Sequence, residues 1–170
     1  MTRNSLLIAA AVVGAIASAD AAFAADEYNV STGTTVDGQG VALRGVDAVA
    51  LADGLEATFG HARFTAVHDG VAYYFADEAA MTRFAADPER YMPRYGGFCA
   101  FGVAKSKKLD GDPRYADVVD GKLYLFLNAA VFEAYSQDKA SVLAQAERNW
   151  PGIHHRSVAD VNGLETARLR

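Results

Sequence analysis

Apolar and polar positions alternate in two stretches of the chain, and each is split by an Asp-Gly pair. In the first, Phe64 to His68 leads into Asp69-Gly70, and Val71 to Phe75 returns. Asp-Gly between β-formers favours a two-residue type I′ turn. That turn opposes His68 to Val71, Ala66 to Tyr73 and Phe64 to Phe75. It puts these six residues on one face, with His68 at the open edge. The second hairpin runs from Tyr115 to Val119, turns at Asp120-Gly121, and returns from Lys122 to Leu127. Its core face is Ala116, Val118, Leu123 and Leu125.

Between the hairpins the spacing becomes helical. Asp77 is a natural N-cap, and Ala80, Met81, Phe84 and Ala85 recur on one face. Asp87-Pro88 ends that helix, with Pro88 opening a short turn that closes near Tyr91. After the second hairpin, Asn128 caps a segment from Ala129 to Tyr135. Asp138 caps another from Lys139 to Asn149, with Val142, Leu143 and Ala146 as its stripe, and Trp150-Pro151-Gly152 stops it. Val41 to Leu51 reads as an extended entry to the domain. No internal repeat is visible in the pattern. It predicts a compact single-domain α+β fold of short antiparallel β-hairpins with helices packed on one side. The domain spans residues 41–152, between a flexible lead-in (25–40) and a loose tail (153–170).

The N-terminus changes the compartment. Arg3, the apolar run from Leu6 to Ile16, and Ala22-Phe23-Ala24 fit a secretory signal peptide over residues 1–24. The expected address is a bacterial periplasm, with no membrane insertion after cleavage. The net charge is -5, and removing the signal leaves it unchanged, since Arg3 and Asp20 cancel. A mildly acidic surface lacks the positive field that nucleic acid requires. The single cysteine, Cys99, permits no internal disulfide. Gly-x-Ser-x-Gly, Cys-x-x-Cys, His-Glu-x-x-His and phosphate-loop motifs are missing, which removes support for standard hydrolase, thioredoxin-type and nucleotide-dependent activities.

Several stretches together resemble a YHS domain. They are Gly45-Val46-Asp47-Ala48-Val49-Ala50, His68-Asp69-Gly70-Val71-Ala72-Tyr73-Tyr74-Phe75, and Phe84 with Asp87-Pro88-Glu89-Arg90-Tyr91. Tyr95-Gly96-Gly97-Phe98-Cys99-Ala100-Phe101-Gly102, the Asp120-Gly121 hairpin and Asn149-Trp150-Pro151 narrow this to the exported bacterial YHS domain-containing (seleno)proteins. The resemblance implies an association with metal handling, copper included. Some relatives carry selenocysteine at the slot of Cys99, which implies redox chemistry or soft-metal binding there. Metal-associated YHS domains often place cysteines where this chain has Ala76 and Ala80, so a multi-cysteine site is absent.

Cys99 is the leading candidate. Gly96, Gly97 and Gly102 around it would let a ligand approach, and Lys105, Lys107 and Lys108 would favour thiolate if close. The local sequence equally fits a small buried residue between Phe98 and Phe101, and the lysines read as a solvated loop. His68 is the second candidate, as a metal ligand or as a hydrogen-bonded hairpin histidine. Asp47 would orient His68 or stabilise a turn, and Tyr95 would line a pocket at Cys99. His154-His155, in the tail and without a third ligand, would bind a metal only weakly or stand solvated, and His61 has no partner pattern.

The leading expectation is therefore a periplasmic module binding copper(I), or another soft ion, through Cys99 and His68. The second is a redox protein with Cys99 as the catalytic thiol, cycling with an external thiol for want of a resolving cysteine. The third is a non-catalytic module whose aromatic face binds a periplasmic partner protein.

Overall fold

Both Asp-Gly turns form as their chemistry demands. Asp69 and Gly70 take φ 49 and 75, and Asp120 and Gly121 take φ 51 and 72, the double left-handed backbone of a type I′ turn. In the computed structural model, which describes residues 26–30 and 33–163, strand β2 (His61–His68) pairs antiparallel with β3 (Val71–Phe75), and β4 (Asp112–Val119) with β5 (Lys122–Phe126). A short β1 (Gly40–Val41) adds parallel to β3, giving the order β1-β3-β2. The expected signal peptide lies outside the described residues.

The register corrects one expected pair. His68 faces Val71 and Ala66 faces Tyr73, but a bulge between His61 and Thr65 makes His61 the partner of Phe75. Phe64 thus falls inside the bulge. The second hairpin carries the same irregularity, with Asp112 opposite Phe126 and Ala116 opposite Leu125.

The helices follow their caps. Helix α1 (Ala48–Gly54) starts at Asp47, α2 (Glu78–Ala86) at Asp77 and α3 (Pro88–Tyr91) after Asp87. A short α4 (Ala100–Val103) starts at Cys99. Then α5 (Ala129–Gln137) starts at Asn128 and α6 (Lys139–Ile153) at Asp138. A last helix, α7 (Val158–Asn162), is capped by Ser157. The fold is α+β. One core cluster gathers Leu51, Tyr73, Phe75 and Phe84, and another gathers Phe98, Cys99, Phe126 and Tyr135.

Trp150-Pro151-Gly152 does not stop α6, which runs on to Ile153 with Pro151 inside it. An internal proline costs a helix about 3 kcal/mol. Tertiary contacts offset that cost. Asn149 Nδ2 donates to the Val103 and Ala104 carbonyls at 3.2 and 3.0 Å, and Trp150 packs on Tyr95 and Phe98. Nor is the segment after 152 loose as far as Gly163, because α7 buries Val161 and Ile153 is buried. The lead-in has little regular structure, yet it is docked rather than flexible where described. Asn29 N donates to Gly96 O at 2.8 Å, and Tyr28 Oη to Asp69 at 2.9 Å.

The two core clusters centre on two copies of one structural unit, contrary to the expectation of no repeat, although Leu123 and Leu125 of β5 join the first cluster. Leu43 and Arg44 are left-handed (φ 53 and 54), as are Tyr95 and Gly96 (φ 58 and 60). Asp47 (φ -65, ψ 116) corresponds to Cys99 (φ -58, ψ 117). Asp47 N donates to Thr58 O and Cys99 N to Leu109 O, both at 2.8 Å. The bulged hairpins match in register pair by pair, and their following helices begin at Asp77 and Asn128. Those helices end at Asp87 (φ -153, ψ 74) and Asp138 (φ -152, ψ 68). The residues kept include Gly45 and Gly97, the Asp-Gly turns, Tyr73 and Tyr124, Phe75 and Phe126, Asp87 and Asp138, with a few small or surface positions such as Ala48 and Ala100.

Candidate metal centre

Cys99 is fully buried. Its Sγ accepts from the Gly102 N–H at 3.4 Å and caps α4. Burial pushes the thiol up, away from thiolate. Backbone N–H groups of Gly102, Leu127 and Phe101 pull the other way more weakly. These donors mirror those of the first repeat, where the buried Asp47 carboxylate accepts from Val49, Ala50 and Ala76 N–H at 2.8, 3.1 and 2.8 Å. Cys99 thus occupies the capping position of Asp47. Gly102 serves close packing rather than ligand access, since a Cβ there would meet Leu109 at 3.2 Å. The lysines do not activate the thiol either. Lys107 donates to Val161 O, and Lys108 donates to three carbonyls. Iodoacetamide is expected to alkylate Cys99 at least roughly 100-fold more slowly in the folded protein than in urea. Rapid native labelling, read by intact mass, would restore the thiol-based readings.

His68 belongs to the other repeat. Its ring meets Phe84 edge-on at a centroid distance of 6.4 Å, and its Nε2 lies 3.7 Å from Asp69. Among the described residues, no cluster of three metal-donor side chains includes His68 or Cys99. Asp47 spends both carboxylate oxygens on capping and on Ala76, so it does not orient His68. Tyr95 is buried, with its hydroxyl donating to Glu147 at 3.1 Å. It lines a groove, but one that opens toward Trp150 and His154 instead of Cys99.

That groove, of about 210 Å³, leads to a different donor set. One ligand atom each from Glu27, His154 and His155 lies within 4.8 Å of the others. His154 Nε2 is 3.6 Å from Glu27 Oε2, and His155 Nδ1 contacts Glu27 Oε1. The continuation of α6 past Pro151 brings His154 onto Trp150, ring centroids 4.6 Å apart, with His155 beside it at 4.2 Å. Burial pulls the His154 imidazolium pKa down, against a smaller upward pull from Glu27. This favours the neutral ring with a lone pair free for a metal. Glu27 is delivered by the docked lead-in. Its backbone presses so closely on Gly96, at φ +60, that a Cβ there would fall 1.9 Å from the Glu27 carbonyl oxygen.

Two imidazoles and a carboxylate are the donor types of open zinc and copper(II) sites, which keep coordination positions for water or a small ligand. Glu27 and His154 both line the groove, beside Tyr95, Arg94 and Trp150.

Sequence reasoning found the histidine pair but missed Glu27, whose partner lies 128 positions away. It also misread Lys108, which is buried rather than solvated. Comparisons with known proteins gave no matching family model, no matching curated protein and no matching solved structure.

Proposed function

We propose that this protein is an exported metal-binding module of YHS type that takes up a divalent transition-metal ion at Glu27, His154 and His155. Copper(II) is the preferred ion, with zinc(II) next in line. The observation that carries this is the arrival of Glu27 beside the two histidines, which supplies the third ligand the sequence lacked. The expected periplasmic address fits such a role. Copper stays in the proposal, in its divalent form, because a nitrogen and oxygen donor set replaces the thiolate that would have favoured copper(I).

The test exploits Trp150, the single tryptophan of the chain, whose ring packs against His154 at a tilt. Copper(II) added to chelator-stripped protein is expected to quench tryptophan fluorescence, saturating at one equivalent. Zinc(II) should compete for the same site. Glu27→Gln and His155→Ala are each expected to weaken binding by about 100-fold, and Cys99→Ala to leave it unchanged. Wild-type affinity in both ligand variants, or loss of binding in Cys99→Ala, overturns the reading.

A further inference from the structure

We infer that Lys108 is the positioning residue of the Glu27–His154–His155 centre, holding the backbone on which all three ligands sit. This rests on the metal-binding reading above. An ammonium has three donors, and the Lys108 Nζ directs them at three carbonyl oxygens. It donates to Asp26 O, to His154 O at 2.7 Å and to Arg156 O at 2.6 Å. Asp26 immediately precedes Glu27, His154 is itself a ligand, and Arg156 immediately follows His155. One cation thus joins the lead-in to the end of α6, two segments that β-strand or helix pairing does not connect.

The surroundings fit that task. Lys108 is 1% exposed, and its Nζ lies 5.3 Å from the Phe98 ring centroid and 5.6 Å from that of Trp150. Aromatic faces accept a desolvated cation. Its own backbone is fixed at both its N–H and its carbonyl. Lys108 N donates to Asn162 Oδ1 at 3.1 Å, and Asn162 Nδ2 donates to Lys108 O at 2.8 Å. The three acceptors are neutral carbonyls, so any carboxylate-bearing ligand arm is left free to bind the metal rather than the lysine. Partners of this kind, behind the coordinating side chains, commonly change metal affinity 10- to 100-fold.

The experiment compares wild type, Lys108→Met, Lys108→Arg and Lys107→Met, using zinc(II) affinity by chelator competition and the visible spectrum of the cobalt(II)-loaded protein. Lys108→Met keeps the apolar stem and removes all three donors. Lys108→Arg keeps the charge, but its planar fork does not match three converging carbonyls. Both are expected to bind zinc about 10- to 100-fold more weakly, with weaker cobalt bands as water replaces a protein ligand. Lys107→Met breaks only a 3.3 Å bond to Val161 O in α7 and should bind as wild type. If Lys108→Met fails to fold, Lys108→Arg decides. Wild-type affinity and spectrum in the folded Lys108 variants overturn the inference, as does an equal loss in Lys107→Met. A wild-type protein that takes up no zinc or cobalt removes the metal-binding reading itself, and the positioning role with it.

Discussion

Asp47→Ala is expected to cost about 3 kcal/mol of unfolding free energy, and Cys99→Ala about 1 kcal/mol, although the two residues hold equivalent places in the two repeats. Removing an aspartate N-cap alone costs about 1 kcal/mol. Asp47 does more than cap, because its second oxygen accepts from Ala76 N–H at the end of β3. A buried amide left without a partner adds about 1–3 kcal/mol. Cys99 meets the same pattern of donors with sulfur, a weak acceptor, at 3.4 Å. Alanine there loses little hydrogen bonding and one sulfur's worth of packing. Urea midpoints at unchanged slope measure both values. Equal costs, or a larger one for Cys99→Ala, would show that the nest in the second repeat holds its sulfur far more firmly than a thiol allows.

This comparison also shows why the repeat escaped notice in the sequence. A repeat survives as backbone: left-handed pairs, a bulge, a helix start, two caps. Backbone of this kind dictates residue type at few places. Gly45 and Gly97 need φ of 78 and 84, and Asp-Gly is needed at both turns. Elsewhere Asp47 and Cys99 do one task with different chemistry, and Phe84 and Tyr135 fill equivalent core sites with different rings. The N-terminal parts correspond at a spacing of 52 positions and the hairpins at 51, so a fixed period blurs the match further.

The legible parts of the fold were local. Turn chemistry fixed two hairpins, and Asp77, Asn128 and Asp138 fixed three helix starts within their own first turns. What was not legible depended on segments far apart in the chain. Lys108 is buried only because carbonyls from residues 26, 154 and 156 converge on it. A lysine beside Lys105 and Lys107 otherwise reads as solvated. Glu27 reaches the two histidines only because Gly96 lets the lead-in lie against it. Pro151 is tolerated because Trp150 and Asn149 anchor the helix around it. In each case a tertiary contact outweighed a local preference, and the candidate site sits where three such contacts meet.

Raising the pH above 10 is expected to unfold this protein steeply. Tyr73, Tyr95, Tyr124 and Tyr135 are all buried, and burial is the largest cause raising each phenol above its ordinary value of 10.0. A phenol is charged when it loses its proton. The unfolded chain therefore ionises near pH 10 while the folded state resists, and the folded state binds more protons above that pH. Stability is intact below pH 10 and falls as pH rises toward the folded values, by about 1.4 kcal/mol per pH unit for each tyrosine. Four such groups give a limiting slope of about 5 kcal/mol per unit, enough to exhaust a stability of about 5–15 kcal/mol within a few units. Phenolate absorbance and circular dichroism should change together in one cooperative transition. Tyr73 gives the sharpest check, because its buried hydroxyl has no hydrogen-bond partner among the described residues. Tyr73→Phe removes one titrating group without breaking a bond, so it should move the alkaline midpoint upward and leave stability at pH 7 equal or higher. Independent ionisation near pH 10 with the dichroism retained would mean that these phenols reach water without unfolding.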